Sequence, residues 1–227
     1  MLLSHGLKFI FICNGKTASA SIEKPLRAHD ESADLNRGAT GLWAGKHIPA
    51  AVLKGMLPGE MWNSYFKFAF VRDPFDWFVS QYRFNFRNPA IRWTSVAEQP
   101  SRSLSVFREY LEDRRRHKRE LLDESDVEFM HGFLRRFRGL PLAPTLYQTN
   151  YTHDADGRLL LDFVGRFEHL PRDVGVIQER LGVGFDLLHL NSSRRPGNTR
   201  DQLTPAAKRR IRELWSVDFE NFGYDDA

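Results

Sequence analysis

Cysteine is almost missing: Cys13 is the only one in 227 residues. No internal disulfide can form, and no group of Cys and His has the spacing of a metal site. Long apolar runs are missing too. No stretch reaches the ~18 residues needed to cross a bilayer, and Met1 to Cys13 lacks the cationic start and cleavage site of a secretory signal. The expectation is a chain without a membrane span that stays soluble where it is made. An excess of one charge is also lacking, since 33 Lys and Arg against 29 Asp and Glu leave only +4. Even with a pI of 9.3, that balance suits an anionic ligand without pointing to nucleic acid. No repeat or low-complexity linker divides the sequence, so a single domain over residues 1–227 is expected, a size that α/β folds fill as one unit.

What is present is a series of short apolar runs alternating with amphipathic segments. Lys8 to Cys13 is β-branched and aromatic, ends at Asn14-Gly15, and reads as a buried strand. Small and hydroxyl residues follow, Lys16-Thr17-Ala18-Ser19-Ala20-Ser21, and then a helix through Ile22 and Leu26 that Pro25 must delay or bend. A second strand, Tyr65 to Val71, ends at Arg72. Asp73 has N-cap chemistry, Pro74 suits the first helical position and Asp76 adds negative charge to the first turn, which predicts a helix from Pro74 to about Phe86. A third run, Leu159 to Val164, precedes a helix that starts after Pro171 and stops near Gly182. Pro49 opens a helix over Ala50 to Leu57. Thr204 and Pro205 open a last amphipathic helix carrying Ile211, Leu214, Trp215 and Phe219. Strands alternating with helices predict an α/β fold with a mainly parallel central sheet flanked by helices, whose ligands sit beyond the carboxyl ends of the strands.

Both strand-to-helix junctions can bind anions. In the first, small side chains let backbone N–H groups approach a phosphate, the helix N-terminus adds positive potential, and Lys16 supplies a full charge. Gly15-Lys16-Thr17 matches the end of the nucleoside-triphosphatase loop, but the first glycine of that pattern would fall at Ile10, in mid-strand, so the motif fails. In the second, Arg72 offers a rigid fork at the strand end. Ser80 lies ~10 Å along the helix at ~1.5 Å per residue, so both reach one phosphate only if it lies beside the helix.

Together these junctions resemble the cofactor site of sulfotransferases that use 3′-phosphoadenosine 5′-phosphosulfate. Lys16-Thr17-Ala18-Ser19-Ala20-Ser21 resembles the loop that holds the 5′-phosphosulfate, and its Lys-Thr-Ala-Ser core is similar to that of uronyl 2-O-sulfotransferases of glycosaminoglycans. Val71-Arg72-Asp73-Pro74, with Ser80 and Tyr82 beyond, resembles the strand and helix that hold the 3′-phosphate. The likeness extends more weakly to Gly165-Arg166-Phe167-Glu168 and to a C-terminal helix ending at Phe222-Gly223-Tyr224. It implies a fold like that of P-loop kinases. Relatives that modify glycans in the secretory pathway usually carry a membrane anchor, and because this sequence shows no signal or anchor segment, the expectation is a cytoplasmic enzyme.

Moving a sulfuryl group to a hydroxyl needs an in-line acceptor, a base for its proton and positive charge on the departing phosphate. Lys16 suits the last role. Of eight histidines, only His47 lies both between the two cofactor loops and immediately before a helix start, and the resemblance implies a catalytic His in this interval. Lys46 is an alternative group for assisting the sulfate, and Glu23 is a poorer candidate for the base. No metal is expected, because Lys, Arg and backbone dipoles supply the charge that Mg²⁺ supplies to kinases. Asn191 to Arg200 is polar and cationic and reads as a lid over the 3′-phosphate and adenine, with Arg194 and Arg195 as candidate contacts. The segment 88–144 reads as a helical insertion on the acceptor side. Its run Arg114 to Arg119 is diluted by Glu112, Asp113 and Glu120 and reads as a solvated face. The partner expected is a hydroxyl-bearing carbohydrate or small molecule. The alternatives are an ATP-dependent P-loop kinase and a non-catalytic polyanion-binding module.

Overall fold

A computed structural model describes residues 1–32, 47–86, 121–136, 146–187 and 199–224. Among these residues four strands form one sheet: β1 (Leu2–Ser4), β2 (Phe9–Ile12), β3 (Phe66–Val71) and β4 (Phe163–Arg166), in that spatial order. The β2–β3 and β3–β4 pairs are parallel, and β1 runs antiparallel, folded back on β2 with Leu3 opposite Ile10. The expected α/β class with a mainly parallel sheet is therefore what the chain adopts.

The alternation of side chains along β2 and β3 divides the core into two layers. On one face, Ile10, Ile12 and Ala69 pack with Ile48, Leu53 and Trp62, which come from the approach to and the bodies of α2 (Ala50–Met56) and α3 (Gly59–Ser64). On the other, Phe9, Phe11, Phe68 and Phe70 pack with Ile22 and Leu26 of α1 (Ser19–Leu26) and with Val174 and Ile177 of α7 (Leu170–Leu181). A third cluster gathers α4 (Pro74–Phe86), α5 (Glu124–Arg136), α8 (Pro205–Leu214) and α9 (Ser216–Phe222) around Trp77, Phe78, Trp215 and Phe219. A four-residue helix, α6 (Thr149–Thr152), packs against α2 and α9, with Tyr151 in the layer of Ile10 and Ile12.

Several local expectations hold. Asp73 caps α4 by accepting the Phe75 and Asp76 N–H groups at 3.0 and 3.2 Å, and Thr204 caps α8 by accepting Ala207 N–H at 3.2 Å. Gly182, in the left-handed region at φ 66°, closes α7. Others shift. The third strand starts at Phe163 rather than Leu159, because Leu159 bridges back to His153 and Asp162 is drawn to Lys67. Pro25 sits inside α1, which ends at Leu26 and tightens into a 3₁₀ turn over Arg27–His29. The last helix divides at Trp215, which leaves helical geometry (φ −113°, ψ 23°) and donates its indole N–H to Leu146 O at 2.8 Å.

Gly165 has a steric reason, since a Cβ there would lie 2.5 Å from the Phe70 ring. Within 88–144, α5 and the residues just before it are described. The rest of that segment, including Arg114 to Arg119, lies outside the described residues. Among the described residues no helix is long and apolar enough to cross a membrane.

Candidate active site

β2 delivers the chain to the first junction. After Cys13 the backbone turns through two residues in the left-handed region, Lys16 at φ 68° and Ala18 at φ 63°, before α1 begins at Ser19. Alternating hands in a tight turn aim successive N–H groups at one concavity, and the helix N-terminus adds its dipole there. The hydroxyls do a different job. Thr17 Oγ1 donates to Asn14 O at 3.0 Å, and Ser19 Oγ donates to the same carbonyl, so both brace the loop from within. Thr17, Ser19 and Ser21 are buried, while Ala18 and Ala20 are half-buried and leave room beside the backbone. Lys16 is half-buried, with its ammonium 4.2 Å above the Phe84 ring of α4.

His47 stands against this loop. Its Nδ1 lies 2.7 Å from Cys13 O. A carbonyl only accepts, so Nδ1 carries the proton and the lone pair of the neutral ring is on Nε2. The ring meets Tyr151 edge-on at 6.4 Å, and its Cε1 is 4.0 Å from where a Cβ on Gly15 would be. Lys46, the alternative, lies outside the described residues. Glu23 is paired with Arg27 at 2.5 Å.

The second junction is built from side chains. Asp73 N–H donates to Glu168 Oε1 at 2.7 Å, and Tyr224 OH donates to Glu168 Oε2 at 2.9 Å. Burial, with Glu168 alongside, pushes the Tyr224 phenol well above its ordinary range, so it stays a donor. Arg72 lies over the Phe167 ring, its Cζ 4.2 Å from the centroid, and reaches Asp76 only at 3.7 Å. Its Nε is buried without a hydrogen-bond partner. Burial holds the guanidinium below its usual range despite Asp76, Glu168 and Asp73, and burial raises Asp76 despite Arg72. The pair does not compensate its own desolvation, which leaves Arg72 a strong seat for a further anion.

α4 and a buried amide pair bring the junctions together. Trp77 Nε1 donates to Gly15 O at 3.0 Å, Gln81 lies 3.6 Å from the Gly15 Cβ position, and Phe84 carries the Lys16 contact. Three successive turns of the helix that starts beside Arg72 thus lean on the Lys16 loop, and Ser80, half-buried, sits one turn before Phe84. Asn14 Nδ2 donates to Phe70 O at 3.0 Å and to Gln148 Oε1 at 3.3 Å, and Gln148 clasps the Arg72 backbone. Arg194 and Arg195 lie outside the described residues. Arg200, at the end of that segment, reaches Asp73 Oδ2 at 2.5 Å and lies over Phe75.

A sulfotransferase-family model matches residues 51–225. The chain belongs to the sulfotransferase family. It is therefore a transferase that takes its sulfuryl group from 3′-phosphoadenosine 5′-phosphosulfate and passes it to a hydroxyl-bearing acceptor. No curated protein and no solved structure matches the chain. The family match takes in Arg72 to Ser80, Gly165 to Glu168 and Tyr224, and it begins after the Lys16 loop and His47. Of this sulfotransferase's two junctions, the first thus rests on its own geometry. Sequence reasoning singled out Lys16, His47 and Arg72 but passed over Gln148 and Asn14, which no motif marked.

Proposed function

We propose that this sulfotransferase acts on a hydroxyl of a carbohydrate or a glycosylated small molecule, with the 5′-phosphosulfate end at Lys16 to Ser21 and the 3′-phosphate end at Arg72 and Ser80. The observation that carries the reading is the pairing of a backbone cradle with a half-buried arginine whose buried Nε lacks a hydrogen-bond partner, on adjoining strand ends. The orphaned Arg72 Nε and the left-handed turn are what a ligand with two separated anionic groups requires. When bound, 3′-phosphoadenosine 5′-phosphosulfate supplies a sulfuryl group already attached to a good leaving phosphate.

The chain supplies the rest. Cys13 O orients His47 so that Nε2 takes the proton from the acceptor hydroxyl as the acceptor oxygen bonds to sulfur. The Lys16 ammonium opposes the negative charge that builds on the leaving phosphate as its bond to sulfur breaks. Lys16 would exchange its contact with Phe84 for that charge. The carbohydrate assignment rests on the Lys16-Thr17-Ala18-Ser19 core, and Arg194, Arg195 and Arg200 belong to a lid over the nucleotide. The deciding experiment is thermal denaturation with adenosine 3′,5′-bisphosphate, without metal, beside ATP with Mg²⁺. Saturating bisphosphate is expected to raise Tm, with ~2.7 kcal/mol of stabilisation at a hundredfold excess over Kd. Stabilisation by ATP and Mg²⁺ alone would overturn the site assignment.

A further inference from the structure

β2 and β3 stop pairing at Ile12 and Ala69, and beyond that point the chain must hold two diverging loops at a set separation. A side-chain amide does this. Gln148 Oε1 accepts Arg72 N–H at 2.9 Å, and Gln148 Nε2 donates to Arg72 O at 2.7 Å, the two-bond pattern by which one strand residue grips another. The same Oε1 accepts from Asn14 Nδ2 at 3.3 Å, and Asn14 O receives the Thr17 and Ser19 hydroxyls that brace the Lys16 turn. Gln148 is itself anchored. Its N–H donates to Asp218 Oδ2 at 2.9 Å, while Asp218 Oδ1 accepts the Thr149 N–H and hydroxyl at 2.8 and 2.7 Å. Gln148 and Asp218 are fully buried, and Asn14 is buried too.

We propose that Gln148 is a positioning residue that sets the spacing between the Lys16 loop and Arg72, so that one nucleotide can engage both with its 5′ and 3′ anionic groups. This rests on the site assignment above. Gripping both N–H and C=O of Arg72 fixes the direction of its Cα–Cβ bond. Tying the same amide to Asn14 fixes where the other loop begins. A ligand that bridges the two loops gains from a preset spacing as a linked pair gains from a matching linker, whereas a ligand that touches one loop gains nothing.

The test compares ligands with two anionic ends and with one. Binding of adenosine 3′,5′-bisphosphate, adenosine 5′-monophosphate and adenosine 3′-monophosphate is measured by calorimetry on the full chain and on Gln148→Met, which keeps length but makes none of the three hydrogen bonds. Bisphosphate affinity is expected to fall ten- to a hundredfold, while each monophosphate changes less than threefold. Equal losses for all three ligands, or no loss for any, would overturn the proposal.

Gln148→Glu is the second variant, and it keeps the proposal testable if Gln148→Met does not fold. It retains both accepting contacts but sets an acceptor oxygen against Arg72 O where the amide donated, so it should show the same selective loss of the bisphosphate. Indiscriminate or absent loss there would likewise overturn the proposal. Wild-type protein that binds none of the nucleotides would instead refute the site assignment beneath it.

Discussion

At the first junction the chain itself makes the cradle, with left-handed backbone at Lys16 and Ala18 and hydroxyls turned inward. At the second, the backbone is an ordinary capped helix start, and side chains make the site: Arg72 on Phe167, Glu168 between Asp73 and Tyr224, Arg200 on Asp73. A cradle of amides tolerates exchange of side chains that face away from it but not a change in backbone hand. A cluster of charges has the opposite tolerance. The proposed roles differ in the same way, because the backbone cradle carries the Lys16 ammonium and adjoins His47, whereas the charge cluster packs Arg72 on Phe167 and Asp73 between Glu168 and Arg200. Damage to the first should therefore fall on turnover and damage to the second on affinity.

The largest effect expected is from His47→Ala. Loss of a positioned base should lower kcat by ~10²–10⁴ with little change in the Michaelis constant for the donor. Steady-state kinetics with an accepted hydroxyl substrate measures it, and wild-type turnover would remove His47 from the chemistry.

A second effect concerns the support both junctions share. Asp218 faces no cation among its hydrogen-bond partners, and burial pushes its carboxyl up to about 6 against the ordinary 3.8. Because the folded value is the higher, the folded state holds the proton more tightly. Its stabilising contribution is full below about pH 4 and is lost as pH rises through about 6, a change of about 3 kcal/mol. Asp218→Asn should remove that component. The difference in urea-unfolding free energy between wild type and variant should change by up to this amount from pH 4 to pH 7, and a constant difference would show that Asp218 does not titrate in that window.

Arg72→Ala comes next and sharpens the division of tasks. It should raise the donor Michaelis constant ~10–100-fold, about 1.4–2.7 kcal/mol, and leave kcat within a few-fold of wild type. An equal fall in kcat with unchanged affinity would reverse the roles assigned to the two junctions.

How far these features were legible in the sequence follows from how local they are. Asp73-Pro74 announces the start of α4, and Gly182 the end of α7, through contacts within one turn. β1, three residues long, offers no periodicity to read. The Leu159 to Leu161 run looks like a strand, but Asp162 is held by Lys67, whose N–H and ammonium both reach its Oδ2, and that sets the strand start at Phe163. The α8–α9 break follows from the Trp215 indole seeking Leu146 O. Gln148 is the clearest case. Its bond to Asn14 spans 134 residues of chain and uses a side-chain amide in place of a peptide, a role that composition and spacing do not encode. In the candidate site, then, Lys16, His47 and Arg72 could be singled out by residue type, position and resemblance, whereas the buried Asp218 and the neutral groups that set their separation could not.

The smallest effect tests the backbone side of the comparison. Ala18 holds φ 63° at the entry to α1 with no side-chain cap. A non-glycine residue pays ~1–2 kcal/mol for that conformation, while glycine adds ~0.5–1 kcal/mol of unfolded-state freedom. Ala18→Gly should therefore stabilise the protein by about 0–1.5 kcal/mol, a Tm increase of up to ~3–6 °C, and leave bisphosphate affinity within twofold because the amides keep their direction. Ala18→Val, β-branched and poorly suited to positive φ, should shift Tm the other way and weaken the bisphosphate as the turn opens. Both changes leave Lys16 and every charged group in place, so a response that tracks backbone hand, and not charge, is what separates the first junction from the second. If Ala18→Gly destabilises and Ala18→Val does not, the left-handed turn is not what shapes this loop.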